Sequence, residues 1–176
     1  MDYVIAGEDE TPLAQLLDAL REGREPEGIR GLWRMRDGSV LPGGFADPPD
    51  VAALPRPAYD LLNMEQYYRL DSPWHFPKSP HAVQLITQRG CPYQCSYCHE
   101  IHTKKFRGIP AETVLDQMVW LVREHGAGEF MIMDDTFNFD PERAKEICRG
   151  IVRRGLRIHL QFPDGVRGDR LDEELT

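Results

Sequence analysis

The 176-residue sequence lacks an excess of positive charge and any long apolar run. It has 21 Lys and Arg residues against 29 Asp and Glu residues, a net charge of −8. Contacts to nucleic-acid phosphates need a basic surface, so this balance argues against a nucleic-acid partner. The apolar stretches fall far short of the roughly 20 residues that span a bilayer, so no membrane segment is predicted. The N-terminus also lacks the basic and apolar regions of a secretory signal, which favours a cytoplasmic location.

Cysteine is scarce, with only four residues, and its distribution is uneven. Thiols stay reduced in the cytoplasm, so clustered cysteines there indicate metal binding or redox chemistry rather than structural disulfides. Cys91, Cys95 and Cys98 lie within eight residues of one another. Cys148 instead falls at the core spacing of a helix, where we expect a buried and inert thiol.

The first half of the sequence predicts two segments with different roles. Residues 1–22 resemble one strand followed by one helix, which cannot bury their own apolar faces, so we expect the C-terminal remnant of a larger domain. Residues 23–81 form a linker. Within it, alternating residues 29–41 predict a β-hairpin that turns at Asp37-Gly38. The proline-rich stretch 42–80 is predicted to lie against a domain surface.

The second half, residues 82–176, alternates between apolar strands and amphipathic helices. Strands are predicted at 82–87, 130–133 and 156–162, and helices at 111–124 and from Asp140-Pro141 to Gly155. This order predicts an α/β fold with right-handed crossovers and a parallel sheet. Chemistry in such sheets sits beyond the carboxyl ends of the strands, where both the cysteine loop and the acidic loop 134–138 lie.

The cysteine loop has the ligands of a soft metal site. Thiolates favour zinc, copper(I) or iron–sulfur clusters. A cubane cluster of four irons usually takes four cysteine ligands, so three cysteines leave one iron open. An open iron suits a catalytic cluster better than a simple electron carrier.

The spacing Cys91-x3-Cys95-x2-Cys98, with the aromatic Tyr97 before the last cysteine, resembles the signature of the radical S-adenosylmethionine superfamily. The resemblance implies a partial (βα) barrel and a 4Fe-4S cluster whose open iron chelates S-adenosylmethionine. In that family, an electron from the cluster cleaves the cofactor to a 5′-deoxyadenosyl radical, which takes hydrogen from a substrate. It also implies that Tyr97 lies near the adenine and that residues 82–176 form the N-terminal part of the core.

The segments around His99-Glu100 and Asp134-Asp135, together with residues 165–172, resemble the branch that carries a cobalamin-binding domain before the core. The resemblance makes residues 1–22 the end of that domain, with cobalamin possible in the full-length protein. It implies methyl transfer or cyclisation on a small-molecule or peptide-like organic substrate. It also implies an electron donor such as flavodoxin or ferredoxin.

Three further residues are candidates for binding S-adenosylmethionine. Asp134 and Asp135 would meet its ammonium, mostly through backbone oxygens, and Arg167 would pair with its carboxylate, which suits the guanidinium fork. A polar loop and a surface arginine are the alternative interpretations of the same residues.

Other readings of the cysteines remain open from the sequence. A zinc site with three Cys and either His99 or His102 would make a non-catalytic module. A simple iron–sulfur electron carrier is a third class. The stretch Cys95 to His99 also fits c-type haem attachment, and its Cys-x-x-Cys fits a thioredoxin-like dithiol, but both leave Cys91 unused.

Overall fold

The computed structural model describes residues 2–70, 77–98 and 102–176. The chain forms two compact units. The first comprises Met1–Leu54 and Ser96–His102, and the second comprises Pro55–Cys95 and Thr103–Thr176. In the described residues no helix has both the length and the apolar character needed to cross a membrane.

The first unit is built on a three-stranded antiparallel sheet with one helix. Its elements are β1 (Tyr3–Ile5), α1 (Glu10–Arg21), β2 (Leu32–Arg36) and β3 (Ser39–Leu41). The strands lie in the order β1-β2-β3. Asp37 and Gly38 both have positive φ, 49° and 75°, as a tight two-residue hairpin turn requires. The predicted hairpin is confirmed, and the predicted first strand joins its edge.

Helix α1 begins at Glu10, and Asp9 is its N-cap. Pro12, Leu16 and Ala19 are the buried residues of α1. Leu13, Leu17 and Leu20 are exposed, so the helix buries only a narrow face.

The first part of the linker lies against this sheet. The N–H of Ala46 donates to the carbonyl of Ala6 at 2.8 Å, and that of Gly31 donates to Gly43 at 2.8 Å. A Cβ on Gly31, whose φ is +87°, would lie 2.7 Å from the Ala46 nitrogen. Only glycine fits where the two backbones approach this closely.

The second unit carries a parallel sheet flanked by helices. Its elements are α2 (Met64–Tyr68), β4 (Ala82–Leu85), β5 (Gln88–Arg89), β6 (Arg107–Gly108), α3 (Ala111–His125), β7 (Glu129–Ile132), α4 (Pro141–Arg153) and β8 (His159–Gln161), with short 3₁₀ turns at Tyr59–Leu61 and Gly168–Arg170. Strands β4, β7 and β8 are parallel in that order, and β5 pairs with β6 antiparallel. The predicted α/β fold with a parallel sheet is confirmed. The described residues form an open sheet rather than a closed barrel.

The helix ends follow the capping signals of the sequence. Gly126 ends α3 with a left-handed φ of 65°. The Asp140 side chain caps α4 by accepting from the N–H of Arg143 at 3.1 Å, and Pro141 occupies the first turn. Gly126 thus marks the start of the loop after α3, and Asp140 marks the end of the loop after β7.

The core of the second unit lies between the sheet and helices α3 and α4. Its buried apolar side chains include Val83, Leu85, Val114, Met118, Leu121, Phe130, Ile132, Phe137, Ala144 and Ile147. Cys148, which the sequence predicts to be buried, is only half-buried on α4. Burial is still the main cause that raises the pKa of the Cys148 thiol, with a smaller contribution from Glu174.

Residues 55–68 pack against the parallel sheet, as the linker prediction expects. The hydroxyl of Tyr59 donates to the carbonyl of Gln84 at 3.2 Å. The ring of Tyr68 stacks on His81 with centroids 4.4 Å apart. These two aromatic residues thus hold residues 55–68 close to β4.

Candidate functional site

Three loops meet at one edge of the second unit because β4, β7 and β8 are parallel. They are residues 86–95, 133–140 and 162–167, each following the carboxyl end of a strand. The sequence-predicted residues Cys91, Cys95, Asp134, Asp135 and Arg167 all fall in these loops. This is the edge where such folds bind ligands.

Asp134 ties the end of β7 to the end of β4. Its Oδ1 accepts from the N–H groups of Thr87 at 2.6 Å and Gln88 at 3.1 Å, and its Oδ2 lies 2.5 Å from the Thr87 hydroxyl. The side chain is 1% exposed. Burial raises the pKa of Asp134 from 3.8 to about 6, although the hydrogen bonds from Thr87 and Gln88 and the charge of Arg143 act in the opposite direction. The carboxyl group is therefore engaged inside the protein.

Arg143, on α4, also contacts the residues that follow β4, and it was not predicted from the sequence. It is 8% exposed. Its Nε donates to the carbonyl of Ile109 at 2.8 Å, and its Nη2 donates to the carbonyl of Thr87 at 2.5 Å. Burial lowers the pKa of Arg143, while Asp134 and other acidic groups raise it. Its position four residues before Ile147, on the inward face of α4, was the available signal.

The loop after β7 also holds the residues that lead into the first cysteine. Asp135 Oδ2 accepts from the N–H of Gly90 at 3.0 Å. The amide of Gln88, oriented by its partners, accepts from the N–H of Thr136 at 3.0 Å and donates to the carbonyl of Gly90 at 3.1 Å. Gln88 is 1% exposed. Residues 87–90 are thus fixed on both sides immediately before Cys91.

The three cysteines of the loop are free thiols in different surroundings. Cys91 is half-buried, with Sγ 3.6 Å from Thr136 Oγ1, while Cys95 and Cys98 are exposed. Cys91 and Cys95 belong to the second unit and Cys98 to the first. Across residues 2–70, 77–98 and 102–176, no three His, Cys, Asp or Glu side chains form a group arranged to hold a metal ion.

The donor set nevertheless fits an iron–sulfur cluster chemically. Three unpaired thiols within eight residues supply soft ligands, and none is consumed by a disulfide. The structure gives little evidence on the two histidines of the rival zinc site. His99 lies outside the described residues, and His102 Nδ1 lies 3.9 Å from a carboxylate oxygen of the buried Glu8.

The cysteine loop also makes an aromatic contact with the loop after β7. Tyr93 contacts Phe139 edge-on, with centroids 5.8 Å apart, and the Arg167 guanidinium lies 4.0 Å from the centre of the Tyr93 ring. A guanidinium over an aromatic face is attracted by the ring quadrupole. Tyr93 is not among the residues predicted for the site, whereas the predicted Tyr97 is 90% exposed.

Arg167 also forms hydrogen bonds with the side chains of Asn138 and Asp169. Its backbone N–H and carbonyl both bond to the side chain of Asn138, each at 2.8 Å. Its Nε donates to Asp169 Oδ1 at 2.7 Å, and this hydrogen bond is the main cause that raises the pKa of Arg167. The guanidinium thus already faces a carboxylate of its own chain.

Comparison with known proteins gives the chain relatives over nearly all of its length. It is 36% identical to an uncharacterized methyltransferase of Pyrococcus horikoshii over 90% of this chain and 33% of that protein. It is 30% identical to the cytidylyl-2-hydroxyethylphosphonate methyltransferase of Streptomyces wedmorensis, over 99% of this chain and 37% of that protein. The chain therefore spans about a third of the length of these relatives.

A solved structure shares the fold. The radical S-adenosylmethionine methyltransferase TsrM from Kitasatospora setae, with tryptophan substrate and a cofactor analogue bound, superposes with a TM-score of 0.73. The match covers 99% of this chain and 34% of that chain at 24% identity. The model of the Radical SAM superfamily matches residues 85–175, more than half of the sequence and including all three loop cysteines. The chain belongs to the Radical SAM superfamily.

Proposed function

We propose that this chain supplies the cluster-binding loop of a radical S-adenosylmethionine methyltransferase. One observation carries the proposal. Three free cysteines follow strand β4 of the parallel sheet, and the loop after β7 forms hydrogen bonds with the residues just before them. Family membership supports the same chemistry.

In this proposal Cys91, Cys95 and Cys98 hold a 4Fe-4S cluster with one iron left open. When bound, such a cluster would supply the single electron that breaks a sulfur–carbon bond of S-adenosylmethionine, giving methionine and a 5′-deoxyadenosyl radical. The chain's own task is to hold the loop. The carboxylates of Asp134 and Asp135 fix residues 87–90, so Cys91 leaves the sheet from a rigid position.

The remaining site residues are proposed to contact the cofactor. Carbonyl oxygens around Asp134 and Asp135 would accept from its ammonium, because both carboxyl groups are engaged with the end of β4. Arg167 would pair with its carboxylate by exchanging Asp169 for it, and Tyr97 would lie near the adenine. Such an exchange is feasible because Arg167 and Asp169 are both partly open to solvent.

The proposed reaction is methyl transfer to a small organic substrate, in the cytoplasm, with an electron donor such as flavodoxin or ferredoxin. The names of the two curated relatives support methyl transfer. Residues 1–22 are proposed to be the end of a cobalamin-binding domain, and 23–81 the linker to the core at 82–176. Cyclisation is the other outcome that product analysis would distinguish.

The test is anaerobic reconstitution of the chain with iron and sulfide, followed by EPR spectroscopy of the reduced protein with and without S-adenosylmethionine. We expect a brown protein with about four irons per chain. Added S-adenosylmethionine should change the EPR spectrum, since it binds the open iron.

The rival functions give different results in the same experiment. A colourless protein that holds one zinc through the same cysteines would indicate a structural module. A cluster with an EPR spectrum indifferent to S-adenosylmethionine would indicate an electron carrier. Cys148→Ala is the matched control for the cysteines of the loop. Because Cys148 lies on α4, its removal should leave the iron content unchanged.

A further inference from the structure

The hydroxyl of Thr136 lies between two acceptors. Its Oγ1 is 2.5 Å from the carbonyl oxygen of Asp135 and 3.6 Å from Cys91 Sγ. Thr136 is only 6% exposed, and its N–H is held by the side chain of Gln88 at 3.0 Å. Because a hydroxyl has one hydrogen to donate, it can serve only one of these two acceptors at a time.

With Cys91 as a thiol, both contacts are satisfied by a short chain of hydrogen bonds. The S–H of Cys91 donates to Thr136 Oγ1, and the Thr136 O–H donates to the Asp135 carbonyl. A cysteine that binds iron does so as a thiolate, which has no hydrogen and can only accept. The contact with Thr136 then persists as a hydrogen bond only if the Thr136 hydroxyl turns its hydrogen toward the sulfur.

We infer that Thr136 is a positioning residue that donates a hydrogen bond to the Cys91 sulfur once a cluster is bound. This inference rests on the proposed function. Hydrogen bonds to ligand sulfurs help set the reduction potential of iron–sulfur clusters. Since the reduced cluster carries more negative charge, a donor at Cys91 favours the reduced state and raises the potential.

The same rotation has a second consequence at the edge of the sheet. When the Thr136 hydrogen turns to Cys91, the Asp135 carbonyl oxygen loses this hydrogen bond, and the lone pair that accepted it is open to another donor. An ammonium group is a donor of three hydrogens and suits such an oxygen. Loading the cluster thereby prepares the carbonyl proposed above to meet the ammonium of S-adenosylmethionine.

The test compares three variants of the reconstituted chain. Thr136→Val keeps the branched shape and removes the hydroxyl, Thr136→Ser keeps the hydroxyl, and Thr113→Val makes the same change on the exposed face of α3. The readouts are iron content and the midpoint potential of the cluster from an EPR-monitored redox titration. For Thr136→Val we expect the ratio of oxidised to reduced cluster at a fixed potential to rise about tenfold, a fall of about 59 mV for a one-electron couple. Thr136→Ser and Thr113→Val should keep the wild-type potential.

A Thr136→Val chain with full iron content and an unchanged potential would overturn the inference. If that variant loads no iron, electron–nuclear double resonance on the reduced wild-type and Thr136→Ser clusters decides. Both should show a coupled proton that disappears in D2O, and its absence from both contradicts the inference. A wild-type chain that binds no iron is a separate result, which removes the proposed function and the inference that rests on it.

Discussion

Protonation of Asp134 should make the fold more stable in mild acid, and Asp134→Asn should abolish that effect. Burial raises the pKa of this carboxyl from 3.8 to about 6. A group whose pKa is higher in the folded chain takes up a proton on folding. Its contribution to the free energy of unfolding is therefore fully present below pH 3.8 and is lost as the pH rises through 6.

The magnitude follows from the two pKa values. Each pKa unit corresponds to about 1.4 kcal/mol, so the full effect is on the order of 3 kcal/mol. About 2 kcal/mol of this should appear between pH 7.5 and pH 4.5, the range most accessible to experiment. The remaining part lies at lower pH, where other carboxyl groups also titrate.

The asparagine variant is a close mimic of the protonated carboxyl. Its oxygen can accept from the N–H groups of Thr87 and Gln88, as Oδ1 does now, and its NH2 can donate to the Thr87 hydroxyl. No buried backbone donor loses its acceptor, so we expect Asp134→Asn to fold. Asp134→Ala leaves both N–H groups without that acceptor and should cost about 1–3 kcal/mol for each at every pH.

Urea unfolding under reducing conditions, followed by circular dichroism at several pH values, measures the effect. The difference in unfolding free energy between wild type and Asp134→Asn should shift by about 2 kcal/mol in favour of wild type from pH 7.5 to 4.5. A difference that is flat with pH, or that shifts in the opposite direction, would refute the reasoning about Asp134.

Two further substitutions test the packing around the site. Gly150→Ala should destabilise the chain, because the new Cβ would lie 2.1 Å from Leu115 Cδ1 in the core. This outweighs the better helix propensity of alanine, about 1 kcal/mol. Gly168→Ala, which has open space around its Cβ, is the control in thermal melts. Asn138→Asp should cost about 1–3 kcal/mol, since a carboxylate cannot donate to the Arg167 carbonyl as the amide does. An Asn138→Asp chain as stable as wild type in urea would show that this bond is not needed.

The strands and helices of the second unit were predictable from local patterns. The apolar run at 130–133 and the Asp140-Pro141 cap are signals within a few residues, and β7 and α4 lie where these place them. The pairing of β1 with β2 was not predicted, because Val4 meets Trp33 only through a register between segments far apart in the chain. A local pattern carries no information on such a pairing.

The sequence predicted where the candidate site residues lie in the fold, and their roles stay predictions. The apolar run at 82–87 placed the cysteine loop after a strand, and Asp134 and Asp135 lie at the end of the neighbouring strand β7. Their carboxyl groups, however, bond to Thr87, Gln88 and Gly90, and this depends on the three-dimensional closeness of β4 and β7. Arg143 was missed for a related reason, since a charged residue in a helix is ordinarily solvent-exposed.

Iron and sulfide content after anaerobic reconstitution shows whether Cys91, Cys95 and Cys98 together hold one iron–sulfur cluster. We expect about four irons and four sulfides per wild-type chain. The cluster should be lost when any one of these three cysteines is changed to alanine, and Cys148→Ala should keep the full content. Iron that persists in the three loop variants, or a wild-type chain that takes up none, would contradict the account.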